Sequence, residues 1–166
     1  MSSEVTPARR VAYEILIRTF EEGAWTDRAF SAAVGRARLD GAELAQARRL
    51  SYGAVQRRAT SDHMIGVLAG RRGGRVDAAA LAALRLGLYE LLFSATADHA
   101  AVDQAVELAK AGSRRSGAPL GRVRAASGFV NALLRRAAAE RRLPLFASST
   151  AWSTAAWSGV AEKSSS

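Results

Sequence analysis

Asp77-Ala-Ala-Ala-Leu-Ala-Ala-Leu-Arg-Leu-Gly-Leu-Tyr-Glu-Leu-Leu-Phe93 is the stretch whose reading decides the fold. Its leucines at Leu81, Leu84, Leu88, Leu91 and Leu92 step largely by three and four. That is the period of an α-helix with one apolar face turned to a core. Asp77 stands where an N-cap belongs. The expectation is a fifth helix that is the most buried element of the chain.

Working outward from it, every neighbouring segment also reads as helix. Upstream, Met64, Ile65 and Leu68 mark a short fourth helix over Thr60 to Gly70, and the Gly70-Arg-Arg-Gly-Gly-Arg75 loop separates it from the fifth. Asp40-Gly41 turns the chain into a third helix holding Leu44, Ala47, Leu50, Ser51, Ala54 and Val55. Asp27 is expected to cap a second with Phe30, Val34 and Leu39. Thr6-Pro7 opens a first, carrying Val11, Ile15, Leu16 and Phe20 and ended by Gly23. Downstream, Asp98 is expected to cap a sixth through Val102, Val106 and Ala109. A seventh runs from about Arg122 to Glu140 with Val123, Phe129, Val130, Leu133 and Leu134, its first half weakened by Gly128. No alternation of strand period and no internal repeat stands out. Beyond Arg142 the chain turns rich in serine and alanine, and residues 143–166 read as a poorly ordered tail or linker remnant. The reading is all-α, with one domain over residues 6–142.

Composition sets the chemistry that remains open. The 166 residues carry 24 basic and 15 acidic side chains, a formal net charge of +9, and no cysteine. Without cysteine there is no disulfide framework, zinc–thiolate site, iron–sulfur cluster or cysteine nucleophile. No apolar stretch has the length and character of a membrane span or a signal peptide, so a soluble cytoplasmic protein is expected. The two histidines, His63 and His99, have no partner at metal-ligand spacing. The Gly70–Arg75 loop lacks the Gly-Lys-Ser/Thr ending of a phosphate loop and follows a helix, unlike a dinucleotide fingerprint. Glu21-Glu22 falls at a helix end, and Asp103 with Glu107 reads as a solvated face. No catalytic residue, metal site or cofactor is expected.

The arginines are the positive signal, although an arginine- and alanine-rich composition would raise the charge on its own. Pairs occur at Arg9-Arg10, Arg48-Arg49, Arg57-Arg58, Arg71-Arg72, Arg114-Arg115, Arg135-Arg136 and Arg141-Arg142, several at helix ends or loops. There a guanidinium can grip phosphate bidentately without disturbing a core. Arg114, Arg115, Arg122 and Arg124 place four cations within eleven residues around Ser-Gly-Ala-Pro-Leu-Gly. Phe129, close behind, is either a core residue or a platform for a base.

Three ordered motifs give the chain a family likeness. Arg85-Leu-Gly-Leu-Tyr-Glu-Leu-Leu-Phe93, Asp98-His-Ala-Ala-Val-Asp-Gln-Ala-Val-Glu-Leu-Ala-Lys110 and Gly128-Phe-Val-Asn-Ala-Leu-Leu-Arg-Arg136 resemble the second half of a NusB-type RNA-binding domain. Ala8-Arg-Arg-Val-Ala12 and Ala47-Arg-Arg-Leu-Ser-Tyr-Gly-Ala-Val-Gln-Arg57 resemble its first half. Within that superfamily, Tyr52 to Arg58, His99 to Val102 and Val130 to Arg136 look more like the N-terminal domain of Sun/Fmu-type 16S rRNA cytosine-C5 methyltransferases than like the NusB antitermination factor. Asp103-Gln104 departs from the usual Asn-Glu, and Glu90 fits either branch.

The likeness implies about seven helices in two small bundles, one to four in the first and five to seven in the second, with the Leu81–Leu92 helix as spine. It implies RNA contact by arginines of the first helix and by the aromatic opening Phe-Val-Asn. The expected RNA face is therefore Arg9, Arg10, Arg114, Arg115, Arg122, Arg124 and Phe129. The implied partner is ribosomal RNA and, in the second branch, a boxA-like element with a ribosomal protein. A role as a protein-interaction module, docking a ribosomal protein or a methyltransferase core, is the alternative. Cytosine-C5 methylation in families of this kind uses a cysteine and S-adenosylmethionine on an α/β sheet. This chain, lacking both, is expected to bind RNA without methylating it.

Overall fold

A computed structural model of the chain describes residues 4–70 and 76–141. They form α1 (Pro7–Phe20), α2 (Thr26–Ala37), α3 (Gly41–Gln56), α4 (Arg58–Ala69), α5 (Ala78–Phe93), α6 (Asp98–Arg115) and α7 (Leu120–Glu140). Among the described residues there is no strand, and the architecture is all-α. Most of the Gly70–Arg75 loop and all of the 143–166 segment lie outside the described residues.

Local chemistry explains the helix starts, though not always as the sequence suggests. Pro7 stands at the beginning of α1, where its missing N–H goes unneeded. Asp40 caps α3 by accepting the backbone N–H of Glu43 at 2.8 Å. The other three aspartates are recruited by tertiary partners instead. Asp27 lies inside the first turn of α2, after the N-cap Trp25, and accepts the Tyr52 hydroxyl. Asp98 is the first residue of α6 and pairs with Arg141 at 2.7 Å. Asp77 holds the N-cap position of α5 but accepts the Ser113 hydroxyl at 3.3 Å rather than a backbone N–H. Gly128 leaves α7 unbroken.

The apolar pattern of α5 reads as one stripe, but the helix is buried nearly all round. From Ala79 to Leu91 only Leu81 is even half-exposed, and α1, α3, α4, α6 and α7 all pack against it. One hydrophobic cluster gathers around it from those same helices, including Leu16, Leu50, Met64, Ile65, Leu84, Leu88, Val102, Leu133 and Leu134. A smaller cluster joins α1, α2 and α3 through Ala8, Val11, Ile15, Ala29, Phe30, Ala33 and Ala47. Thus α4 packs with the larger cluster, because Met64, Ile65 and Leu68 turn toward α5 and α7. Gly87 lets α7 approach closely: a methyl group there would meet a Leu134 methyl at 2.6 Å.

Near-complete burial of α5 carries two charges into the interior. Glu90 is 1% exposed and accepts Arg9 Nε at 3.0 Å and Nη2 at 2.7 Å, with the Thr96 hydroxyl at 3.0 Å. Arg85 is bidentate to Asp62 at 2.7 and 3.0 Å and lies 4.8 Å from the Phe20 ring centroid. Of the two pairs only Arg9–Glu90 is buried on both sides, and removing one member of such a pair strands the other. Glu90→Leu should therefore destabilise the protein by about 3 to 5 kcal/mol, seen as a lower urea midpoint at unchanged m value. Arg9→Met combined with Glu90→Leu should recover most of that loss. An equal loss in the single and double variants would show that charge pairing is not the reason.

Candidate nucleic-acid interface

The seven residues expected at the interface separate into four groups. Arg9 is not at the surface: it is 7% exposed and its guanidinium is committed to Glu90, with Nη1 also reaching Thr6 Oγ1 at 3.2 Å. The expectation for Arg9 is corrected accordingly. The reason is helical phase, since Arg9, Ala12, Tyr13 and Leu16 fall on the side of α1 that faces α5. Arg10, one residue on, is exposed.

Arg10 meets Arg114 and Arg115 across a cleft of about 470 Å³ between α1 and the end of α6. Arg122 and half-buried Phe129 line a second, more open cleft with Leu81, Ala126, Asp77 and Glu21. Phe129 packs against the larger cluster as well, so it is a core residue with one accessible side. Arg124 is exposed on α7 and lines neither of these clefts. The two clefts flank the junction of α5 and α6, where the Asp77 carboxylate holds Ser113.

Three acids, Glu4, Glu14 and Glu107, share the first cleft with its three arginines, and two of the acids are paired with cations elsewhere. Glu14 pairs with Arg36 and lies 3.9 Å from Arg18, and Glu107 pairs with Lys110 at 2.7 Å. These counter-cations lie outside the lining. Among the described residues Arg114, Arg115, Arg122 and Arg124 enter no ion pair, and Arg10 donates only to the Val5 carbonyl at 3.0 Å. Helix electrostatics separates these cations by cause. Arg114 and Arg115 occupy the last turn of α6, where the macrodipole favours positive charge. Arg122 stands in the first turn of α7, which has no acid, so the macrodipole opposes it. Helix stability does not account for that placement; the cleft that Arg122 lines also holds Glu21 and Asp77.

Other chemistry finds little support among the described residues. No group of three or more His, Asp or Glu could hold a metal ion. His63 and His99 are both exposed, on α4 and α6. No described helix is long and apolar enough to cross a membrane.

Comparison with known proteins agrees with the helical arrangement. The NusB family profile matches residues 6–139. Two curated proteins, from two strains of Mycobacterium tuberculosis, are each 36% identical over 129 residues, and both carry the provisional name of methyltransferase. The match covers 78% of this chain and 26% of each relative, so the chain spans about a quarter of their length.

Tyr13 is the residue of the cleft that the sequence reading leaves out. Its spacing from Arg10, three residues along a helix, is the signal that would place both on one side. Its hydroxyl donates to the Ala79 carbonyl at 3.1 Å and sits against Gly112, so it pins α1 to the start of α5 and the end of α6. Burial first, then nearby Asp77, raises its pKa above the ordinary 10.0, against a lowering by Arg115. A phenol held protonated in the folded state stabilises fully below its unfolded pKa and loses that contribution as pH rises past it. Stability should therefore fall as pH climbs above about 10. Tyr13→Phe should lower stability by about 1 kcal/mol at neutral pH and make the alkaline fall shallower. Tyr52, raised first by its hydrogen bond to Asp27, keeps some slope in that variant. Urea melts at pH 8 and above pH 10 measure both effects.

Proposed function

Because the chain belongs to the NusB family, we propose that it is an RNA-binding domain serving a cytosine-C5 methyltransferase of 16S rRNA as its substrate-recognition part. The observation that carries the RNA reading is the set of exposed arginines without ion pairs on either side of the α6–α7 turn. Likeness to the mycobacterial proteins favours the methyltransferase assignment over antitermination. The chain has no cysteine to attack a cytosine ring. In this reading it binds and orients ribosomal RNA in the cytoplasm while a catalytic domain supplies the nucleophile and S-adenosylmethionine.

The proposed mechanism is electrostatic grip followed by limited stacking. Arg10, Arg114 and Arg115 hold phosphates on one side of the turn, and Arg122 and Arg124 hold the next ones on the other. Guanidinium forks suit phosphate better than ammonium groups would, in keeping with 22 arginines among the 24 basic residues. The accessible side of Phe129, beside Arg122, offers a surface to an unstacked base. Arg9 takes no part in this contact; through Glu90 it fixes α1 so that Arg10 faces α6.

Five phosphate contacts on a single strand give a log–log salt slope of about −3.5. Fluorescence anisotropy with a single-stranded fragment of 16S rRNA across a potassium chloride series should show it. Arg114→Glu with Arg115→Glu should weaken binding to all sequences alike and flatten the slope, since phosphate contacts carry little sequence information. A slope near zero for the unaltered protein would sink the proposal.

A further inference from the structure

Leu120 is 71% exposed at the tip of the α6–α7 turn. It begins the stripe that continues through Val123, Ser127, Val130 and Leu134, all buried. The stripe stays covered where α6 lies alongside it, but α6 ends at Arg115, so the last apolar side chain projects past its partner. Disorder does not explain the exposure. The turn is tied by the Gly117 N–H to Arg114 O at 3.0 Å and the Ala118 N–H to Ser113 O at 3.1 Å. Gly117, at φ +75°, makes the reversal that these bonds require.

The surroundings say what would cover Leu120. From Ala111 to Arg124 the chain contains four arginines and no carboxylate. All four are exposed, and among the described residues none is in an ion pair. A protein groove matching an aliphatic tip flanked along the chain by four arginines would have to be strongly acidic, whereas nucleic acid offers both requirements together. Its phosphates meet the guanidiniums, and an unstacked base or exposed base-pair face meets the leucine. Trp25 is more exposed still, at 79%, but the chain from Glu21 to Asp27 around it holds three acids and no base.

We propose that Leu120 is an apolar wedge that seats against an interrupted base stack, so that the domain selects RNA with a bulge or loop over an unbroken duplex. Aliphatic side chains flanked by cations use the same division of labour where they open base steps in bent DNA. In RNA the unstacked bases of loops and bulges already provide the gap. The inference rests on the RNA-binding reading and adds to it a structural class of target.

The test compares two RNAs of equal length and phosphate number, a hairpin with a one-nucleotide bulge and an uninterrupted duplex, each binding the full chain. 2-Aminopurine beside the bulge reports local stacking. The unaltered protein should prefer the bulged RNA and change the 2-aminopurine emission. Leu120→Ala, at an exposed position, should keep the melting temperature and salt slope. It should lose roughly tenfold in affinity for the bulged RNA, as expected for one leucine side chain left unburied, with little change on the duplex. If Leu120→Ala binds both RNAs as the unaltered protein does, the wedge is overturned while the arginine–phosphate reading stands. If the unaltered protein binds neither RNA, the underlying reading fails and the wedge with it.

Discussion

Glu90 and Arg85 ride on a helix with almost no solvent-facing side; Glu90 meets Arg9 in the interior, and Arg85 reaches outward to a partly exposed Asp62. An isolated charge in such surroundings costs several kcal/mol, so the helices that bring Arg9 and Asp62 are not free to slide or rotate. Arg9 fixes the phase of α1 against the second half of α5, and Thr96 fastens the same carboxylate to the connection toward α6. Asp62 fixes α4 against the middle of α5, with the Phe20 ring of α1 stacked on the same guanidinium. Hydrophobic area gives this core its stability, and the two ion pairs give it register.

The proposed interface follows from that register. With Arg9 held inward, Arg10 comes to the outer side of α1, facing the last turn of α6. Tyr13 closes the angle between them through Ala79, and Gln104 ties the segment before α1 to α6 through Thr6 and Glu4. At the far end, Arg136 and Arg141 donate to the carbonyls of Leu68 and Leu91, anchoring α7 to α4 and α5. The α6–α7 turn is therefore displayed by two anchored helices, and its arginines can meet a polyanion with little reordering. Arginine plays two opposite parts here: interior cations with dedicated carboxylate partners build the frame, and surface cations outside any ion pair among the described residues supply the proposed function.

Much of this was legible in the sequence. The three-and-four spacing of apolar residues gives all seven helices, and the motifs around Glu90, Asp98 and Phe129 give the family. Its limits have physical causes. Periodicity marks the apolar positions of α5, but a helix enclosed on every side also buries Arg85 and Glu90, which hydropathy assigns to the surface. Aspartates before helices look like caps, yet Asp27 and Asp98 have tertiary donors that compete with the backbone. Arg9 and Arg10 are identical as residues and differ only in phase on α1. Reading Arg9 with Ala12, Tyr13 and Leu16 as one stripe would have separated them. Leu120 was hidden because its exposure depends on where α6 stops, which no local pattern records.

The division between frame arginines and contact arginines is the central claim, and side-chain NMR tests it most directly. In a protein with 15N-labelled arginine, the Nε–Hε resonances should be followed while a bulged RNA is added at low salt. Shifts or broadening concentrated on Arg10, Arg114, Arg115, Arg122 and Arg124, with Arg9 and Arg85 unmoved, are the predicted result. Perturbation of Arg9 or Arg85 with the α6–α7 arginines silent would contradict it.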